Sequence, residues 1–333
     1  HEIRTPMNGV IGTVSLMETT HLTEEQNQYC HAIKNAGESL LSVINDILDF
    51  SKIEAGEMNF NRQPFSITKV ISDVIEMFSE PANKQGIYLH SFIAKDIFPL
   101  YGDPIRIKQI LINLISNAIK FTDIGSVTVT AQCIDLSETE QTVVFEVIDT
   151  GIGIPEDDQE KIFQSFSQSR QDAEVAVKGT GLGLAISQKI CNAMNGEMGV
   201  ESQPDKGSKF WFTLCLPLSN QIQHDDFSIF NNKNVLIYSN ENINKALADQ
   251  LEAWAVNTTS TTSQELAISM IEASAQKKKN FDIILAGQSD TNETTLLFGQ
   301  KCSALSKTNK TPIIYLCKYG ERNQPLNEQI KKS

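Results

Sequence analysis

The chain has 333 residues, 40% of them hydrophobic, which is enough to bury more than one core, and its length predicts two or three domains. A formal net charge of −13 argues against nucleic acid or an anionic membrane as a direct partner. The cysteines (Cys30, Cys133, Cys191, Cys215, Cys302, Cys317) are scattered and form no C-x-x-C pair, which reads as reduced thiols rather than disulfides or zinc.

The stretch His1-Glu2-Ile3-Arg4-Thr5-Pro6 opens a run with apolar residues at Ile3, Met7, Val10, Val14 and Met17, the a and d positions of a heptad seam. Pro6 has no N–H and is expected to bend this helix just after the histidine. Leu22-Thr23 with Gln26 spells a hydrophobic staple and a capping box. The second helix they open carries its own seam at Tyr29, Ile33, Ala36, Leu40, Val43, Ile47 and Phe50. Two such helices cannot bury both faces alone, so residues 1–57 predict a dimeric four-helix bundle. Gly56 reads as its C-cap.

From about Phe60 the pattern becomes mixed α/β: a helix over 66–84, strands over 87–94, 126–134 and 143–148, and a last hairpin over 196–216. Within Gln109–Thr122, Asn113 and Asn117 are four apart on one helix face, with Lys120 on the same side. Amide oxygens are hard ligands for Mg2+, and a lysine meets phosphate as a point charge. Core amides that pair with each other would explain either asparagine alone.

Asp149-Thr-Gly151-Ile-Gly153-Ile-Pro155 follows a β-like run, so its carboxylate sits at a strand end, where it can accept from an exocyclic amine such as that of adenine. Gly151 and Gly153 let the backbone turn and approach a flat ligand, although an isolated match of this kind is more often an ordinary turn. Thirty residues on, Gly179, Gly181 and Gly183 precede an amphipathic helix, whose free N–H groups and dipole suit phosphate oxygens. The spacing is neither that of the Rossmann fingerprint nor that of a Walker loop. Residues 165–178 are polar and aperiodic, a long loop of the sort that serves as a lid. Trp211 and the nearby phenylalanines read as core.

Residues 220–232 read as a linker. Beyond them lie short apolar strands at 234–238, 281–285 and 312–316, with a helix over 242–253, a pattern that suggests a doubly wound parallel sheet of flavodoxin type. The spacing is similar to that of response-regulator receivers. A working receiver needs an acidic pair after its first strand and an aspartate after its third, whereas here those places hold Ser239-Asn240 and Gly287, and Cys317 replaces the hydroxyl residue. Residues 233–333 are therefore expected to form a degenerate, incomplete receiver that cannot be phosphorylated. Asp282 and Asp290, the nearest acids, read as capping or surface residues.

In combination these motifs resemble the N, G1, F and G2 boxes of sensor histidine kinases, with Phe163-Gln-Ser-Phe166 as the F box and His1-Glu-x-x-Thr-Pro as the H box. The resemblance runs from His1 to about Leu218. It implies a helical hairpin, then an α/β sandwich of the ATP-binding Bergerat type over 60–219. By that resemblance His1 accepts phosphate, Glu2 fixes its tautomer and takes up its proton, and Thr5 orients water for dephosphorylating a partner regulator. Asn117 would hold Mg2+, Asn113 and Lys120 would face the triphosphate of ATP, and Asp149 would read the adenine amine. Gly151, Gly153, Gly179, Gly181, Leu182, Gly183, Phe163 and Phe166 would shape the pocket and its lid. The lid departs from the family pattern at Val175 and Lys178, and Lys178 would supply the phosphate contact instead.

A degenerate receiver after this core is similar to the hybrid, multi-step sensor kinases of the BarA/GacS class. The implied activity is Mg-ATP-dependent autophosphorylation of a histidine in a homodimer, with relay to a receiver aspartate and a histidine phosphotransfer domain. Alternatives are an ATPase of the gyrase, chaperone and mismatch-repair group, disfavoured by the heptad helices, and a non-catalytic dimeric scaffold. No apolar run reaches the roughly 18–20 residues of a membrane helix, so these residues are expected to be a cytoplasmic portion, with the full-length protein anchored in the inner membrane through segments upstream.

Overall fold

In the computed structural model, residues 2–165, 181–222, 227–276, 280–287, 298, 301–302 and 311–316 are described. In sequence, α1 (Arg4–Met17), α2 (Glu24–Glu54), β1 (Gln63–Phe65), α3 (Ile67–Lys84), β2 (Ile87–Ile93), β3 (Leu100–Gly102) and α4 (Pro104–Lys120) come first. β4 (Gly125–Leu136), β5 (Glu140–Asp149), α5 (Glu156–Gln159), α6 (Gly183–Ala193), β6 (Glu197–Gln203) and β7 (Gly207–Pro217) follow. The last elements are β8 (Asn234–Tyr238), α7 (Glu241–Ala253), β9 (Asn257–Thr261), α8 (Gln264–Gln276), β10 (Ile283–Ala286) and β11 (Ile313–Tyr315). They form two compact bodies: His1–Phe60 with Asp157–Met194, and Asn61–Glu156 with Asn195–Ser333.

In the first body, α1 and α2 form an antiparallel-type hairpin of packed neighbours. Its corner is set by a complete capping box: Gln26 N–H donates to Thr23 Oγ1 at 3.2 Å, and Thr23 N–H donates to Gln26 Oε1 at 2.9 Å. α1 starts at Arg4, which places Pro6 in the first turn. There its missing N–H removes no helical bond, so the bend expected at Pro6 is replaced by a helix start.

Val14 and Cys30 are buried within this body, and Gly37 lets the helices close up: a Cβ there would lie 3.0 Å from Ile11 Cγ1. The predicted seam is divided. Val14 is buried and Met7 lies against Gly37, whereas Ile3, Val10, Met17, Tyr29, Ile33, Leu40 and Ile47 are exposed. The exposed members of the heptad pattern therefore mark a second face beside the one that joins α1 to α2.

The second body holds a five-stranded sheet in the order β2-β4-β5-β7-β6, with β2 parallel to β4 and the other pairs antiparallel. α3 packs on β2 and on α4, and α4 packs on β4 and β5. Along β5 the side chains alternate, so Val143, Phe145, Val147 and Asp149 share the buried face. Phe145 stacks on Phe212 of β7 with ring centroids 4.5 Å apart. Trp211 lies on the opposite face of β7, half-buried against Gly199, where a Cβ would come within 2.5 Å of the indole. It is a surface cover rather than the core residue expected from the sequence.

The same body contains a four-stranded parallel sheet, order β11-β10-β8-β9, with α7 and α8. β9 and α8 had no counterpart in the sequence reading. Nor is the stretch 220–232 purely a spacer, because Phe227 and Phe230 stack on Trp254 at 4.8 and 5.9 Å. Replacing Phe145 by Ala removes a fully buried ring and its stacking partner's contact, so denaturation of the second body should lose about 3–5 kcal/mol. A loss below about 1 kcal/mol would contradict this placement of the core.

Candidate functional site

Strand alternation carries Asp149 to the end of the core face of β5, where its side chain is only 5% exposed. Its Oδ1 accepts two backbone bonds, from Gly151 N–H at 2.8 Å and Ser208 N–H at 3.2 Å. Among the described residues its Oδ2 accepts none. Burial pushes the carboxyl above the usual aspartate range, and the two amide donors pull it back down only in part. One oxygen is thus fixed by the protein while the other remains as an acceptor for a ligand.

The glycines around it have a steric role within the protein itself. A Cβ on Gly151 would lie 2.2 Å from the carbonyl oxygen of Phe121, the residue that ends α4. A Cβ on Gly153, whose φ is +69°, would lie 2.0 Å from the carbonyl oxygen of Gln203. Backbone abuts backbone at both points, and Ile152 N–H donates to Phe121 O at 3.2 Å. The loop is thereby clamped between the end of α4 and the β6–β7 hairpin.

That hairpin supplies residues the sequence reading missed. Gly207, at φ +91°, lets the hairpin pass Asp149: a Cβ there would lie 2.0 Å from the Asp149 carbonyl oxygen. Ser208 provides the second amide to the carboxylate. Ser202 Oγ accepts from Ile154 N–H at 2.7 Å and donates to Gly207 O at 2.9 Å. The only signal in the sequence was Gly207-Ser208 after the Asp205-Lys206 turn, which gives no hint of its distant partner.

α4 is capped by Asp103, whose Oδ1 accepts from Ile105 and Arg106 N–H, with Pro104 at the first helical position. Ile110, Leu111, Leu114, Ile115, Ala118 and Ile119 are buried, whereas Asn113, Asn117 and Lys120 are half-exposed along one face. The Asn117 carboxamide has no hydrogen bond among the described residues, and Lys120 Nζ rests 4.6 Å from the Phe121 ring centroid. Phe121 O meets the Asp149 loop, so the asparagine face ends where the buried carboxylate begins. Thr122, next in the chain, is buried with its Oγ1 unpartnered.

These residues fit a metal nucleotide on chemical grounds. Among them no group of three carboxylates, imidazoles or thiols could cage a metal. Mg2+ typically takes one or two protein oxygens and fills its shell with water and phosphate, and a free carboxamide suits that.

In the first body, α6 begins after Gly181 (φ +67°) and Leu182, which is buried, and its first turn has no side-chain cap. The leading N–H groups of a helix suit an anion. Phe163 is half-buried in a 3-10 turn (Lys161–Phe163) packed on α6. α6 also grips α2: Lys189 Nζ lies 2.7 Å from Glu54 Oε1 and 3.8 Å from the Phe50 ring centroid. Glu2 and Thr5 are exposed at the start of α1. His1, Phe166, Lys178 and Gly179 lie outside the described residues.

Residues 1–56 match the His Kinase A (phospho-acceptor) domain, and residues 102–218 match the histidine kinase-, DNA gyrase B- and HSP90-like ATPase family. The chain carries a sensor histidine kinase core. It is 36% identical over 290 residues to the sensor protein GacS of Pseudomonas syringae, which covers 86% of this chain and 32% of that protein. It is 41% identical over 225 residues to the signal transduction histidine-protein kinase BarA of Escherichia coli, covering 67% and 24%. The chain thus spans about a third or less of the length of these curated relatives. Among solved structures it matches full-length ShkA in complex with AMPPNP, with a TM-score of 0.70 and 28% identity over 99% of this chain and 69% of that one.

In this kinase core the raised Asp149 pKa fixes the sign of a stability test. The native state holds the proton to higher pH than the unfolded chain does. The fold therefore loses stability as pH rises from the ordinary value of 3.8 through the raised one. Asp149→Asn keeps an Oδ1 for both amides and carries no charge. At neutral pH the variant should unfold at a temperature equal to or above that of the wild type, and the difference should vanish below the ordinary carboxylate pKa. A variant markedly less stable at pH 7 would contradict the assignment.

Proposed function

We propose that this chain catalyses Mg-ATP-dependent phosphorylation of His1 as the core of a dimeric, two-component sensor kinase, passing the phosphoryl group to an aspartate of a receiver domain. The observation that carries the reading is the divided carboxylate of Asp149, one oxygen locked by Gly151 and Ser208 and the other free among the described residues, beside the α4 end that bears Asn117, whose carboxamide has no partner among them either. The match to a structure determined with AMPPNP, an analogue of ATP, supports the choice of nucleotide.

In this reading Asp149 Oδ2 accepts from the adenine amine, a charge-assisted bond unavailable to a 6-oxo purine. Asn117 would hold Mg2+, and Asn113 and Lys120 would meet the phosphates. Gly179, Gly181 and Gly183 with the α6 N-terminus would hold the phosphate end, with Lys178, Phe163 and Phe166 belonging to the lid. Mg-ATP, when bound, supplies the phosphoryl group and offsets its charge. The His1 imidazole forms the new P–N bond while the bond to ADP breaks, and its ring proton passes to Glu2. Thr5, one turn on, would orient a water for dephosphorylating a partner regulator.

The exposed stripe of Ile3, Val10, Met17, Tyr29, Ile33, Leu40 and Ile47 supports a second copy as the partner that completes a four-helix bundle over residues 1–57. Residues 60–219 would then be the ATP-binding domain and 233–333 a degenerate receiver. Support for the latter comes from Gly287: a Cβ there would lie 2.1 Å from Ser239 Oγ, leaving no room for a phosphoacceptor aspartate. No described helix is long and apolar enough to cross a membrane, so anchoring of the full-length protein would rest on other segments.

With γ-labelled ATP, the full-length protein should acquire label that is acid-labile and alkali-stable, as a phosphohistidine is. His1→Gln should abolish the label and leave nucleotide binding intact. Release of free phosphate with no protein label would refute the proposal in favour of a hydrolase.

A further inference from the structure

β2 is an outer strand of the five-stranded sheet, paired on one side with β4 and open on the other. Such an edge presents unpaired N–H and C=O groups to whatever can match them. At Ile93 they are matched by a single side chain from the parallel-sheet module. Ile93 N–H donates to Gln250 Oε1 at 2.9 Å, and Gln250 Nε2 donates to Ile93 O at 3.0 Å. One carboxamide thus takes both backbone groups of one residue, as the next strand of a sheet would.

The rest of α7 fits the same seat. Leu247, Ala248 and Leu251 pack on the module's own core with Val235, Ile237 and Leu285. Ala246, Gln250 and Ala253 are all half-buried and recur at i, i+4 and i+7, a stripe of small residues around one amide that lets the helix come close to a backbone. His90 of β2 lies beneath Lys245 and Asp249. Its ring bonds Thr128 Oγ1 at 2.9 Å, and burial pushes its imidazole below the ordinary value, with Lys245 adding to the shift and Asp249 opposing it.

We infer that the C-terminal parallel-sheet module is a fixed intramolecular partner of the ATP-binding sheet, seated on the open edge of β2, with Gln250 as the residue that selects and holds that seat. Its contribution to the chain is this contact rather than phosphate acceptance. The seat is at the far end of the sheet from the nucleotide residues. Asp149 pairs with Val127, and Val127 with Leu89, four residues and roughly 13 Å along β2 from Ile93. The inference does not depend on the phosphotransfer reading.

Amide hydrogen exchange on the full chain tests it. In the wild type the Ile93 amide should be strongly protected, because it faces away from β4 and Gln250 is its partner. Gln250→Glu puts a carboxylate against the Ile93 carbonyl, so Ile93 exchange should rise at least about tenfold, while the Val235 and Ile237 amides stay protected and nucleotide affinity stays within about twofold. An unprotected Ile93 amide in the wild type would overturn the inference, and this needs no variant to fold. Equal Ile93 protection in wild type, Gln250→Glu and Gln250→Ala would overturn the role of Gln250.

Discussion

The structure around the site depends on a buried carboxylate that is held, among the described residues, by two backbone donors. Asp149 lies in line with Val143, Phe145 and Val147, so the alternation that builds the core also drives an ionisable group into it. Burying a charge is expensive unless hydrogen bonds replace water. Gly151 and Ser208 replace part of it, and burial still pushes the carboxyl above its ordinary range. A ligand that brings a donor to Oδ2 completes the solvation, so the same deficit that costs stability in the free protein favours binding.

Holding those donors in place forces three backbones together. The loop after β5 presses on the end of α4 at Gly151, and on the β6–β7 hairpin at Gly153. The hairpin presses back on Asp149 at Gly207. None of the three positions tolerates a side chain, and two of them have φ values that L side chains avoid. The end of α4, with Asn117 one turn back, is thereby fixed relative to the carboxylate. In the first body the coupling is looser and more polar: Lys189 bridges α6 to Glu54 and Phe50 of α2. Such a pair is half in solvent and adds little to stability.

Much of this was legible in the sequence where the signal is local. The Thr23–Gln26 box and the β-like run into Asp149 are short-range patterns, and the structure follows them. What was not legible is long-range. The heptad residues announce a seam, yet nothing in their spacing says that Val14 turns to the internal contact with Cys30 and Gly37 while Tyr29, Ile33, Leu40 and Ile47 stay exposed. Gly151 and Gly153 were recognisable as necessary, but for a ligand, because the carbonyls of Phe121 and Gln203 that exclude a Cβ are distant in sequence. Gln250 looks like one more polar residue on a helix until β2 is set beside it. Pro6 and Trp211 were misread for the same reason: each was judged by its own chemistry before its neighbours were known.

The most direct test is a comparison of ligands rather than residues: the affinity of the wild type and of Asp149→Ala for ATP and for purine riboside triphosphate, which lacks only the 6-amine. The account predicts that the wild type loses about 10- to 100-fold in affinity when the amine is removed, the worth of a hydrogen bond to a charged acceptor, and that Asp149→Ala binds both ligands equally. If the variant still prefers ATP by the wild-type margin, the free oxygen of Asp149 does not read the base.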